Sequence, residues 1–269
     1  MSITAAQVKE LREKTGVGMM DCKKALTETN GDMDAAIKHL REKGIAKAEK
    51  KADRETKEGR VFTVISGNTG AILELNCETD FVGNNDAFIQ LGNQLAKVVL
   101  NTDGITSETI DGIEVGGKTV KDVIADGIAR VGENLTIGNF ERFVTEGVVT
   151  DYIHQNGKIG VLVGFSGTIE DETGRDVAMQ VAALNPLYTR PEEVPTDEID
   201  QEKDVIRKQA ENEGRPAQVI DKMVEGKINK FYKEVCLLEQ SFVKDDKKAI
   251  KQILPEGVTI EGFRRYSLG

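Results

Sequence analysis

One short pattern occurs twice in this chain. Val61-Phe62-Thr63-Val64-Ile65 runs through Gly67-Asn68-Thr69-Gly70 into Ala71-Ile72-Leu73-Glu74-Leu75, and residues 149–153 run through Asn156-Gly157 into Lys158-Ile159-Gly160-Val161-Leu162-Val163. In each copy two apolar, largely β-branched runs flank an Asn/Gly turn, the signature of an antiparallel hairpin. A helix-like segment follows each one, at 85–100 and 174–184. A small sheet must bury one face, and the following helix supplies the cover. The pattern therefore predicts an α+β protein with two related subdomains, each a small antiparallel sheet with helices on one face. Two copies are too few for a solenoid.

Ahead of the first copy lie three short helices. Thr4 with Gln7 three residues on is a capping-box signature, Thr15-Gly16 ends the first helix, residues 19–26 open the second, and Asn30-Gly31 breaks it. Asp32 is placed to cap the third, whose Ala35, Ala36, Ile37 and Leu40 share a face. The string NGDMDAAIKHL resembles the end of a ubiquitin-associated-type three-helix module. Blocks this small have little core of their own and usually dock on something larger. Residues 43–60 are charged and read as a helical or flexible linker. Within them Lys47, Lys50, Lys51 and Arg54 form either a small basic patch or the solvated face of a helix.

Behind the second copy, Asn185-Pro186 and residues 191–195 interrupt the pattern, and 196–238 read as two helices broken at Gly214-Arg215-Pro216. Val219, Ile220, Met223, Val224, Ile228, Phe231 and Val235 recur at threes and fours, one seam of an amphipathic helix. Two such helices make a protruding hairpin that offers an apolar seam for self-association. Residues 257–268 return to strand-like alternation and belong in the second sheet. The expected division is 1–54 for the docking module with its linker, 55–140 for the first subdomain, and 141–269 for the second, with the hairpin inserted at about 196–238.

The formal net charge is −10, and what basic excess exists lies in residues 1–60, with 14 basic against 11 acidic side chains. That distribution argues against direct nucleic-acid binding, which needs clustered Lys and Arg along a phosphate backbone. No run approaches a membrane span, the first residues lack the layout of a signal peptide, and three scattered cysteines without CxxC suggest neither disulfides nor zinc, so a cytoplasmic protein is expected. Residues 112–119 fit the phosphate-loop pattern GxxxxGK[ST], but the preceding NTDGITSETI is polar, whereas such a loop hangs from a buried parallel strand. His39 and His154 make no metal-ligand pair, and no nucleophile elbow occurs. No metal, no cofactor and no bond chemistry are expected.

One corner stands apart. In 71–88, AILELNCETDFVGNNDAF, an apolar run ends at Cys77, and Phe81 follows beside Asp80 ahead of a helix. A Phe at the end of an element is either a projecting aromatic wedge with an acidic neighbour or a ring folded back onto its own core. The string TDFVGNN resembles the TDFV signature of the bacterial elongation factor Ts family, and LREKTGVGMMDCKKAL at 11–26 resembles that family's other signature. The resemblance implies a guanine nucleotide exchange factor of protein biosynthesis, not an enzyme, whose partner is the translational GTPase elongation factor Tu. By the same resemblance Phe81, preceded by Asp80, is the wedge near the magnesium and phosphate site of that GTPase, and Met19 and Met20 dock the first module. Val131, in ARVGENL, and His154, in the YIH string, are further contact residues or simple packing residues. Many members of that family continue past the last strand into a helical segment that also touches the GTPase, whereas the sequence here ends at Ser267-Leu268-Gly269. The competing class is a non-catalytic adaptor that binds partner proteins without promoting exchange.

Overall fold

The computed structural model describes residues 3–268. Helices α1 (Ala5–Thr15), α2 (Met19–Glu28) and α3 (Met33–Glu49) open the chain. Thr4 and Gln7 form the expected capping box, Gly16 ends α1 in the left-handed region, and Asp32 caps α3 through the Ala35 amide. Their small core is Val8, Leu11, Val17, Cys22, Ala25, Leu26, Ala36 and Leu40. The charged stretch after Leu40 is helical as far as Glu49, because it leans on later elements. Arg41 pairs with Asp122, Ala48 packs into the first sheet's core, and a Cβ on Gly44 would stand 3.4 Å from Ala129 Cβ. Of the basic residues here, Lys51 donates to the Gly132 carbonyl and Arg54 faces Glu78, while the Lys47 side chain lies outside the described residues.

Strands β1 (Glu58–Ser66) and β2 (Thr69–Cys77) form the first hairpin around a two-residue Gly67-Asn68 turn. After β2 come a single helical turn, α4 (Asp80–Gly83), and the long α5 (Asp86–Asn101). A small hairpin, β3 (Glu114–Val115) with β4 (Lys118–Thr119), leads into α6 (Val120–Val131), and β5 (Leu135–Val144) returns to pair antiparallel with β2. The second unit repeats the plan. Strands β6 (Val148–His154) and β7 (Ile159–Phe165) make a hairpin, α7 (Asp171–Leu184) covers it, and α8 (Thr196–Asn212) with α9 (Ala217–Val235) form the helical hairpin. A small pair, β8 (Ser241–Phe242) and β9 (Asp245–Ala249), then precedes α10 (Ile250–Ile253), and β10 (Ile260–Ser267) pairs antiparallel with β7. The sheet orders β1-β2-β5 and β10-β7-β6 thus share one topology, with the second hairpin strand central in both.

Both central strands are buried on two faces, which is why they read as nearly continuous apolar runs. Ala71, Leu73 and Leu75 face α5, with Phe88, Leu91, Leu95 and Val99 opposite, while Val161, Val163 and Phe165 face α7. The alternate residues Ile72 and Leu162 point the other way and, with Val61, Phe143 and Val149, join sheet to sheet. Each such fully buried aliphatic side chain contributes about 1.5–3 kcal/mol. Buried Glu74 on this inner face accepts from the Asn139 backbone and side-chain amides, both at 3.0 Å, where β2 and β5 bulge. The helical hairpin packs on itself. Ile220, Val224 and Ile228 of α9 close against Ile206 and Ala210 of α8, so much of the apolar seam is covered internally. Its base is sewn to the second unit by Leu187 and Tyr188 amides on the Val235 carbonyl and by Tyr188 Oη donating to Glu198 at 2.6 Å.

Candidate protein-binding site

Strand β2 stops at Cys77 because the next two amides leave the ladder. Glu78 N and Thr79 N both donate to Glu133 Oε2, at 3.1 and 2.9 Å, and the Thr79 hydroxyl donates to Glu133 Oε1 at 2.6 Å. The same hydroxyl accepts from Val82 N at 3.5 Å and so caps α4. Asp80 is the first residue of that turn, where its charge suits the helix N-terminus. Val82 turns inward to the first core, whereas Phe81 turns out and is 83% exposed, a member of no apolar cluster among the described residues. A Phe ring left in water keeps its burial free energy available to a partner.

The surroundings of the corner are polar and paired. Asn134 N donates to the Glu78 carboxylate at 2.7 Å, and this bond, followed by the Arg54 guanidinium, holds Glu78 below the usual carboxylate range. Burial pushes the Cys77 thiol up to about 11, and its Sγ donates to the Thr79 carbonyl at 3.1 Å, so this cysteine is an inert packing group.

Residues 130–134 join the separate parts of the site. Val131, the last residue of α6, is half-buried against the first core, so packing accounts for much of its side chain. Arg130 donates to the Thr15 carbonyl at 3.5 Å, next to the loop that leads into α2. At the start of α2, Met19 and Met20 are 56% and 77% exposed. Gly132, at φ 83°, turns the chain so that Glu133 reaches the Phe81 corner, while Asn134 Nδ2 donates to the Arg54 carbonyl at 2.9 Å. His154 lies on the second sheet, exposed at the end of β6, with its ring stacked on Tyr152 at 5.8 Å and Nδ1 3.0 Å from the Tyr152 hydroxyl. The loop that follows it rests on Arg60, because a Cβ on Gly157 would meet Arg60 Cγ at 3.0 Å, and Arg60 donates to Asn84 at 2.6 Å. The element ends that carry Met19 and Met20, Asp80 and Phe81, Val131 and His154 are therefore chained together by named contacts around α4.

Thr79, Glu133, Asn134 and Arg60 were not singled out from the sequence. The available signal was Gly-Glu-Asn directly after a helix end, where a left-handed glycine turns a carboxylate back toward other backbone. The phosphate-loop pattern, by contrast, is accounted for by structure. Gly116 and Gly117, at φ 62° and 79°, form the turn between β3 and β4, Lys118 pairs with Asp126, and Thr119 caps α6 through Asp122 N at 3.2 Å. No helix of the described residues is long and apolar enough to cross a membrane.

Against this geometry, a family model described as elongation factor TS matches residues 78–269. The matched region begins at the Phe81 corner and takes in both sheets' third strands, the segment 130–134 and the helical hairpin.

Proposed function

The chain belongs to the elongation factor Ts family, the nucleotide exchange factors of the GTPase elongation factor Tu, and from that premise we propose that it drives GDP release by wedging Phe81 into the GTPase domain near the magnesium and phosphate site. An exchange factor of this kind performs no bond chemistry. It binds best to the GTPase with a distorted or empty nucleotide site, so it weakens GDP binding, and GDP weakens its binding by the same factor. The phosphates of a GTPase are held by loop amides and a metal ion, and a ring forced between the supporting helices loosens both.

The observation that carries this reading is the exposure of Phe81, at 83%, on a corner whose Glu78 and Thr79 amides and Thr79 hydroxyl are all held by Glu133. Asp80 stands beside it and competes for polar groups displaced from the nucleotide site. Met19 and Met20 supply an adaptable apolar dock for the first module, residues 1–54. Residues 55–140 carry the wedge. Residues 141–269 offer His154 as a second contact surface, and Val131 adds an apolar contact from its exposed part. Self-association through the helical hairpin would use what its internal packing leaves open, Val205 and Val219. The test is release of fluorescent GDP from elongation factor Tu on mixing with the full chain. Rapid release that Phe81→Ala suppresses supports the reading, and binding without acceleration supports an adaptor instead.

A further inference from the structure

We propose that Glu133 is a positioning residue for Phe81, the group that holds the wedge ready before any partner arrives. The inference rests on the wedge reading and adds to it the means by which an exposed ring is aimed.

A single helical turn does not hold itself together in water, since nucleation of a helix is unfavourable and four residues gain almost nothing from propagation. Helix α4, Asp80–Gly83, is such a turn, and Phe81 is its second residue. Its order must come from outside. The N-terminal cap is the Thr79 hydroxyl, which has one hydrogen. That hydrogen goes to Glu133 Oε1 at 2.6 Å, which leaves the oxygen lone pairs directed at Val82 N. Glu133 Oε2 takes the amides of Glu78 and Thr79, the two donors that the end of β2 would otherwise leave without partners. One carboxylate thus ends the strand, fixes the hydroxyl rotor and sets the start of the turn that bears the ring.

The clasp is reciprocal. Glu78 returns a carboxylate to the Asn134 amide at 2.7 Å, and Asn134 Nδ2 grips the Arg54 carbonyl at 2.9 Å. Neighbours on either side tie into the same segment, with Lys51 on the Gly132 carbonyl and Arg130 on the Thr15 carbonyl. Held in this way, the backbone that bears the ring keeps one placement relative to the segment that carries the methionines of the first module. Ordering it at the moment of binding would otherwise cost affinity for the transition to the open GTPase.

The test is a double-mutant cycle in stimulated GDP release at sub-saturating full-length factor, with GDP-loaded elongation factor Tu as the probe and a thermal melt for each variant. Glu133→Ala is expected to slow release about 10- to 100-fold, the scale of hydrogen bonds to a charged acceptor. In the Phe81→Ala background the same change is expected to add almost nothing, because its effect passes through the ring. A merely structural role predicts the same factor in both backgrounds. Wild-type release from Glu133→Ala, or full additivity with Phe81→Ala, overturns the proposal while leaving the wedge intact. Undiminished release from Phe81→Ala alone overturns the wedge itself. Should Glu133→Ala fail to fold, Thr79→Ala takes its place in the cycle. It is expected to show the same partial, non-additive loss, with release restored by Thr79→Ser. Wild-type release from Thr79→Ala overturns the proposal.

Discussion

Gly70 in β2 lies directly under Val149 in β6: a Cβ on that glycine would stand 2.8 Å from Val149 Cγ1 and 3.0 Å from Leu162 Cδ1. The two sheets meet at this point, and Gly160 plays the mirror part beneath Val61. Val149 is buried and β-branched, so its restricted χ1 gives it little room to retreat. Gly70→Ala is therefore expected to destabilise the chain by about 1–3 kcal/mol through overpacking. A thermal melt should fall by several degrees, and an unchanged midpoint would mean that the sheets separate more easily than this contact implies.

The Glu78 carboxyl is held below its ordinary 4.5 by the Asn134 amide and then by Arg54. A folded-state pKa below the unfolded value gives stability that is complete above 4.5 and drains away as pH falls through the folded value. The gap in melting temperature between the native chain and Glu78→Gln should therefore be wider at neutral pH than at an acidic pH below 4.5. Equal gaps at both pH values would remove Glu78 from the acid response.

Lys118, in β4 just ahead of α6, is committed to Asp126 of that helix, not to a phosphate. Lys118→Ala should leave GDP release from elongation factor Tu unchanged, and calorimetry should find no ATP or GTP bound by the isolated chain. Micromolar nucleotide affinity that this substitution abolishes would reverse that reading of the Gly-rich turn.

Much of this arrangement is legible in residues 61–88 and 149–163, because a hairpin and its covering helix are local patterns of period two and 3.6. The return of 257–268 to the second sheet was legible for the same reason. Strand β5 was not, since Leu135-Thr136-Ile137-Gly138-Asn139 is broken by the bulge that Glu74 caps, and only its pairing with β2 makes it a strand. Gly70 reads as a turn residue beside Gly67-Asn68, yet it lies inside β2, where its purpose is the approach of the other sheet. The exposure of Phe81 could be suspected from its place after a strand end. The carboxylate that braces it sits 54 residues beyond Thr79, and no local pattern reports a pairing at that separation.

The helical hairpin buries its seam between α8 and α9 and is tied to the second unit at Tyr188, Glu198 and Val235. Replacing residues 200–231 with a short Gly/Ser linker keeps those ties. The shortened chain is expected to fold and to retain most of its exchange activity, because α4 and the segment 130–134 make their contacts elsewhere. Complete loss of exchange in a chain with native circular dichroism would place an essential contact on the hairpin. Sedimentation of both forms tests self-association, and a dimer that persists without the hairpin must be joined somewhere else.

Phe81 gives the sharpest division between a wedge and a packing residue. Its ring is exposed and fills no cavity, so Phe81→Ala should leave the melting temperature of the free chain nearly unchanged. A core Phe would instead lose about 3–5 kcal/mol of stability on the same truncation. Toward the GTPase the expectation reverses. An aromatic anchor that becomes fully buried is worth about 2–4 kcal/mol. Stimulated GDP release at sub-saturating factor should therefore slow by about 30- to 1000-fold. Phe81→Leu keeps apolar bulk without the flat ring and should fall between the two. Release at the native rate from a folded Phe81→Ala chain would show that the corner is held in place for some other purpose, and the wedge would have to be given up.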